Sequence, residues 1–219
     1  MMGNRLMQAL PRVYPILDTE TLAARGIAPA TAAAAFLEGG AGILQIRHKG
    51  HWSRDFFAAA QEVARLCREA GAPLVIDDRA DFALLLEAGL HVGQDDLPPR
   101  DARALLGPEA LIGFSSHNAP QLCAGGGEPV DYVALGPVFA TASKRNPDPA
   151  IGVDEVRRLR PLLEKPLVAI GGITRANAPE VLRAGADSVA VISGLLPEAG
   201  TARALRERME EWQRIATTV

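Results

Sequence analysis

A chain of 219 residues, 48% of them hydrophobic, carries enough apolar material for one substantial core, read as a single domain over 1–219 with its core about 13–215. Net charge is −3 with acids and bases interspersed, and aromatics make up only 5%. The basic face and stacking platform of a nucleic-acid binder are therefore not expected. The two cysteines, Cys67 and Cys123, have no metal-ligand spacing, which suits a reduced, cytoplasmic protein. No apolar run approaches the ~18 residues of a membrane span, and the N-terminal stretch lacks a signal-peptide core, so no membrane association is expected.

Short runs rich in Val, Ile and Leu alternate with stretches of helical period along the whole chain. The first predicted strand, 13–17, ends in Asp18-Thr19-Glu20, without the glycine-rich turn that opens a doubly wound sheet. A helix over 29–38, containing four consecutive alanines, leads to strand 42–46. Gln45, Arg47 and Lys49 follow at a spacing of two, so an extended backbone points all three the same way. Arg offers a planar fork and Lys a point charge for phosphate oxygens, although the same pattern serves equally as a solvated strand end.

Helix 54–70 precedes strand 73–76, which runs into Asp77-Asp78-Arg79, and helix 80–88 precedes strand 91–92, which runs into Gln94-Asp95-Asp96. Glycines after several helices, at 71, 89 and 185, suit the left-handed position that ends a helix. Taken singly, these acids also fit helix starts, and for Asp77, Asp95 and Asp101 that reading is at least as good. One acid from each of two neighbouring strand ends would meet the need of magnesium for one or two carboxylates, so Asp78 and Asp96 are the metal candidates.

Helix 98–106 is followed by strand 111–114 and the hydroxyl-bearing Ser115-Ser116-His117-Asn118, then by helix 120–124 and strand 132–135. A long polar loop through Thr141, Ser143 and Lys144 to Gly152 has the composition of a phosphate-binding lid. Helix 154–163, strand 167–170 with Gly171-Gly172-Ile173-Thr174, helix 176–184, strand 189–192 with Ser193-Gly194, and helix 202–215 complete the chain. Eight β-then-α units in about 200 residues fit a small α/β TIM barrel, whose catalytic groups come from the carboxyl ends of the strands and whose phosphate site often follows strands 7 and 8. Two anion sites are implied, one with metal and one without.

The ordered motifs QIRHK, DD, GQDD, SSHN, GPVFATASK and IGGIT, spread over 13–193, resemble those of the thiamine-phosphate synthases, also called thiamine-phosphate pyrophosphorylases. That family is a TIM barrel that uses Mg2+ to join 4-amino-2-methyl-5-(diphosphooxymethyl)pyrimidine to 4-methyl-5-(2-phosphoethyl)thiazole, releasing pyrophosphate. The resemblance implies that Gln45, Ile46, Arg47, His48, Lys49, Ser115 and Lys144 hold the pyrimidine diphosphate, with Asp77 at the ring. It implies that Asp78 and Asp96 hold magnesium, and that Thr141, Ala142, Ser143, Gly172, Ile192 and Ser193 hold the thiazole phosphate. Arg47, Lys49 and Lys144 become the catalytic cations. The chain departs from the family at Asp77, where Asn is usual, at His48, where many members carry an acid, and at Ser143, where Thr is frequent. A thiazole tautomerase, or a non-catalytic thiazole phosphate-binding barrel, is the alternative, and a homo-oligomer stays open.

Overall fold

Parallel strands buried on both faces need apolar side chains in both directions, and the short Val/Ile/Leu runs supply them. The computed structural model describes residues 10–141 and 148–218. Eight strands lie parallel in chain order: β1 (Val13–Asp18), β2 (Leu44–Arg47), β3 (Leu74–Asp77), β4 (Gly89–Val92), β5 (Ile112–Ser116), β6 (Tyr132–Leu135), β7 (Leu167–Ile170) and β8 (Ser188–Val191). β8 pairs with β1 and closes the barrel. The helices are α1 (Thr19–Ala23), α2 (Pro29–Glu38), α3 (Arg54–Ala70), α4 (Ala80–Leu85), α5 (Pro99–Leu106), α6 (Ala119–Gly127), α7 (Val153–Leu159), α8 (Ala178–Arg183) and α9 (Ala202–Thr217). The expected (β/α)8 fold is what the chain forms.

The period-two alternation of the strands divides the core in two. Leu44, Ile46, Leu74, Ile76, Leu90 and Val92 point outward and pack under the helices. Tyr14, Ile16, Val75, Tyr132, Ala134 and Val168 point inward and fill the barrel. On the same inward face, one or two residues further along, lie Gln45 and Arg47, Asp77, His91 and Ser115. Alternation alone therefore carries these polar groups to the carboxyl end of the sheet.

α2 and α3 run as the sequence indicates, the first opened by Pro29 and the second by Ser53, whose hydroxyl accepts from the Phe56 N–H at 3.1 Å. Gly71 and Gly185 take the expected positive φ, of 68° and 108°. Gly89 does not. α4 stops at Leu85, Glu87 adopts the left-handed conformation instead, and Gly89 opens β4, where a Cβ would stand 2.5 Å from the Leu111 carbonyl oxygen. The expected helix 154–163 is broken after Leu159, because Pro161 cannot supply a helical N–H, and the chain continues as a single 3₁₀ turn, Arg160–Leu162. α1 is additional. It is capped by Asp18, which accepts from the Thr21 N–H at 2.9 Å.

Candidate active site

The strand ends and the loops beyond them enclose a cavity of about 750 Å³, within the ~300–1,000 Å³ range of small-molecule sites. One wall is a charge cluster. The β1 and β2 registers place Asp18 beside Arg47, and Arg47 Nη1 donates to Asp18 Oδ2 at 2.5 Å. Lys49 Nζ lies 2.8 Å from Asp77 Oδ2 and also donates to Asp78 Oδ2. Asp78 takes a positive φ of 62°, which turns its carboxylate out of the strand line. Asp96, from the loop after β4, accepts from the Gly93 N–H at 2.7 Å and lies within hydrogen-bonding reach of Asp78.

These contacts set the protonation of the cluster. Burial pushes the Asp77 carboxyl up to about 6, with the Asp78 charge adding to the shift while Lys49 and Arg47 oppose it. Burial raises Asp96 as well, the Gly93 N–H pulling the other way and Asp78 reinforcing the rise. For Lys49, burial lowers the ammonium pKa, but Asp77 and Asp78 more than offset this and the net shift is upward. Lys49 is therefore a fixed cation. Asp77 Oδ2 is buried without an aligned hydrogen-bond donor, its charge being met by the Lys49 contact and by Arg47 Nε at 3.8 Å. The accessible acceptor capacity of Asp77 is therefore at the other carboxylate oxygen, Oδ1.

The opposite wall comes from the turns after β7 and β8. Gly172 has φ 61°, and a Cβ there would stand 2.5 Å from the Ala140 carbonyl oxygen, so only glycine fits this approach of two loops. Ile192 and Ser193 line the cavity beside it, with Thr174. α9 braces this wall from behind. Trp212, fully buried, donates from Nε1 to the Gly194 carbonyl at 3.1 Å, and Arg208 Nη1 donates to the same oxygen at 3.3 Å.

The floor is a chain of polar side chains across the barrel interior. Gln45 Nε2 donates to Tyr14 Oη at 3.4 Å, Tyr14 and Tyr132 hydroxyls meet at 2.9 Å, and Tyr132 Oη lies 3.1 Å from His91 Nδ1. His91 Nε2 lies 2.8 Å from Ser115 Oγ. Gly113 makes this possible, since a Cβ there would fall 2.1 Å from the Tyr132 ring.

The structure thus brings together Gln45, Arg47, Lys49, Asp77, Asp78, Asp96, Ser115, Thr141, Gly172, Ile192 and Ser193 around one cavity. It does not bring the Ile46 and His48 side chains there. Ile46 belongs to the outer core, and His48 turns away to stack on Phe56, ring centroids 3.7 Å apart, with Nδ1 2.7 Å from Thr19 Oγ1. Period-two geometry explains Ile46, because alternate residues of β2 must face the helices, and His48, just past the strand end, is held on that same side by Phe56 and Thr19. Ala142, Ser143 and Lys144 lie outside the described residues. Tyr14, Tyr132 and His91 on the floor, and Thr21 and Arg25 on the rim, line the cavity without having been singled out as site residues.

A closed (β/α)8 barrel with a charge-lined small-molecule cavity at the carboxyl ends of its strands belongs to the TIM-barrel class. Comparison with known proteins narrows this. Residues 13–195 match the family model of thiamine monophosphate synthase. The chain is 47% identical to the thiamine-phosphate synthase of Koribacter versatilis over 85% of its own length and 90% of that protein's. It is 43% identical to the thiamine-phosphate synthase of Laribacter hongkongensis, over 89% and 92%. Among solved structures, the thiamine phosphate pyrophosphorylase of Pyrococcus furiosus superposes with a TM-score of 0.81 at 30% identity, covering 95% of this chain and 97% of that one. The chain belongs to the thiamine monophosphate synthase family.

Proposed function

We propose that the chain is a thiamine-phosphate synthase, a transferase that moves the aminopyrimidine methylene from diphosphate to the thiazole nitrogen and releases pyrophosphate. The observation that carries this reading is the cavity's division into two walls. Arg47, Lys49, Asp78 and Asp96 form one, and the Gly172 and Ser193 turns form the other, in a chain 47% identical to a thiamine-phosphate synthase. The first wall suits a diphosphate with its metal, and the second a monophosphate held by backbone N–H groups.

Asp78 and Asp96 fit magnesium. Among the described residues they are two adjacent hard oxygen donors rather than a full ligand cage, and Mg2+ completes such a site with water and substrate phosphate oxygens. When bound, the ion supplies Lewis-acid stabilisation to the departing diphosphate. Arg47 and Lys49, with Lys144 by the family resemblance, neutralise charge growing on the leaving group. Asp18 holds the Arg47 guanidinium in place. The Asp77 carboxylate accepts from the ring's amino group, which directs electrons toward the methylene as the C–O bond breaks. Ser115 donates to the diphosphate. No protein nucleophile is required, and the two walls hold the thiazole against the reacting carbon while excluding water. The unpaired cysteines agree with a reducing, cytoplasmic setting.

The test is pyrophosphate release with both substrates, with each alone, and with magnesium chelated. Release that needs all three components supports the synthase. No release with both substrates and magnesium present, while thiazole phosphate still binds, points instead to a tautomerase or a regulatory barrel.

A further inference from the structure

The polar floor of the barrel takes a direction from one assignment, the Gln45 side-chain amide set with its nitrogen toward Tyr14. A side-chain amide nitrogen can only donate, so the Gln45 Nε2 contact at 3.4 Å makes Tyr14 Oη an acceptor. Burial holds both the Tyr14 and Tyr132 phenols well above their ordinary pKa, so each keeps its single proton. The Tyr14 proton then goes to Tyr132 across 2.9 Å, and the Tyr132 proton goes to His91 Nδ1 across 3.1 Å. With Nδ1 accepting, a neutral His91 carries its proton on Nε2 and donates it to Ser115 Oγ across 2.8 Å. Ser115 is left with its own hydroxyl proton to give elsewhere, and it lines the cavity.

We propose that Tyr14, Tyr132 and His91 are positioning residues that form a one-way hydrogen-bond relay, aiming an acceptor, Gln45 Oε1, and a donor, the Ser115 hydroxyl, at the aminopyrimidine diphosphate. With Nε2 committed to Tyr14, the Gln45 carbonyl oxygen is available to the exocyclic amino group. With Oγ already accepting from His91, Ser115 offers a proton to a diphosphate oxygen. The relay fixes both ends at once, since reversing any one bond reverses them all. A pyrimidine carrying an oxo group in place of the amino group would meet an acceptor with an acceptor, so the relay selects the amino form. This substrate assignment rests on the synthase reading, whereas the relay itself is a property of the free protein.

The experiment reads the His91 tautomer by 15N NMR of the metal-free, ligand-free protein at about pH 8, where an imidazole is neutral, with the resonance assigned through His91→Gln. Wild type shows the proton on Nε2. Gln45→Glu presents only acceptors at the head of the relay and moves the His91 proton to Nδ1. Adding Tyr14→Phe to Gln45→Glu removes the dependence, which separates transmission along the relay from a through-space charge effect. A wild-type proton on Nδ1, or a tautomer indifferent to Gln45→Glu, overturns the relay. In kinetics, the near-isosteric Tyr14→Phe raises KM for the pyrimidine diphosphate about tenfold, the scale of one hydrogen bond, and leaves KM for thiazole phosphate within about twofold. Equal changes for both substrates overturn its link to the pyrimidine. A protein that passes the NMR test but makes no thiamine phosphate keeps the relay and loses the synthase reading.

Discussion

Asp77 is 7% exposed at the end of β3, where burial favours an uncharged side chain. The Lys49 and Arg47 cations offset that cost, and Lys49 keeps a second partner in Asp78. Asp77→Asn, which installs the residue usual in the resembled family, removes one negative charge beside the proposed diphosphate position and retains an amide oxygen as acceptor. At an effective dielectric near that of a protein surface, the removed repulsion is on the order of 1 kcal/mol. KM for the pyrimidine diphosphate is expected to fall roughly fivefold to tenfold with little change in turnover. Steady-state kinetics with the thiazole phosphate saturating measure this. An unchanged or higher KM would show that the carboxylate itself is used.

α9 and the turn after β8 act together, because the Trp212 and Arg208 donors share the Gly194 carbonyl next to Ser193. Trp212→Phe leaves an aromatic ring in the buried slot but drops the N–H and part of the volume. Stability is expected to fall by about 1–3 kcal/mol, with a higher KM for thiazole phosphate and an unchanged KM for the pyrimidine diphosphate. A denaturant melt and paired kinetics check both, and a rise in both KM values would mean general loosening instead. At this scale the sequence is readable where the signals are local. α2 and α3 have their caps written beside them, as Pro29, Ser53 and Gly71. α1 has only five residues, too few to express a helical period, and the Arg25 that follows it was invisible as a site residue for the same reason. Arg47, Lys49, Asp78 and Asp96 stood out as charges closing apolar runs. Tyr14, His91 and Tyr132 lie within those runs and read as core or strand residues until the strand faces are known.

Closure of the barrel makes neighbours of residues more than a hundred positions apart, such as Tyr14 and Tyr132. No helix among the described residues is long and apolar enough to cross a membrane. The same closure gathers Asp77, Asp78 and Asp96 at one rim, where the Asp78 charge acts unfavourably on the other two carboxylates. Lys49 opposes it. Its ammonium spans Asp77 and Asp78, so the molecule carries its own tethered counter-ion at this rim. The wild type is therefore expected to stay folded in chelator, its melting temperature gaining from magnesium only what binding itself contributes. Lys49→Ala is expected to lose on the order of 1 kcal/mol, the side chain being partly solvent-screened, and to regain stability when magnesium is added. Thermal melts of both proteins with and without chelator decide it, and a magnesium-dependent rise as large in the wild type as in Lys49→Ala would refute the idea. The rim would then hold its shape before any divalent ion or substrate arrives.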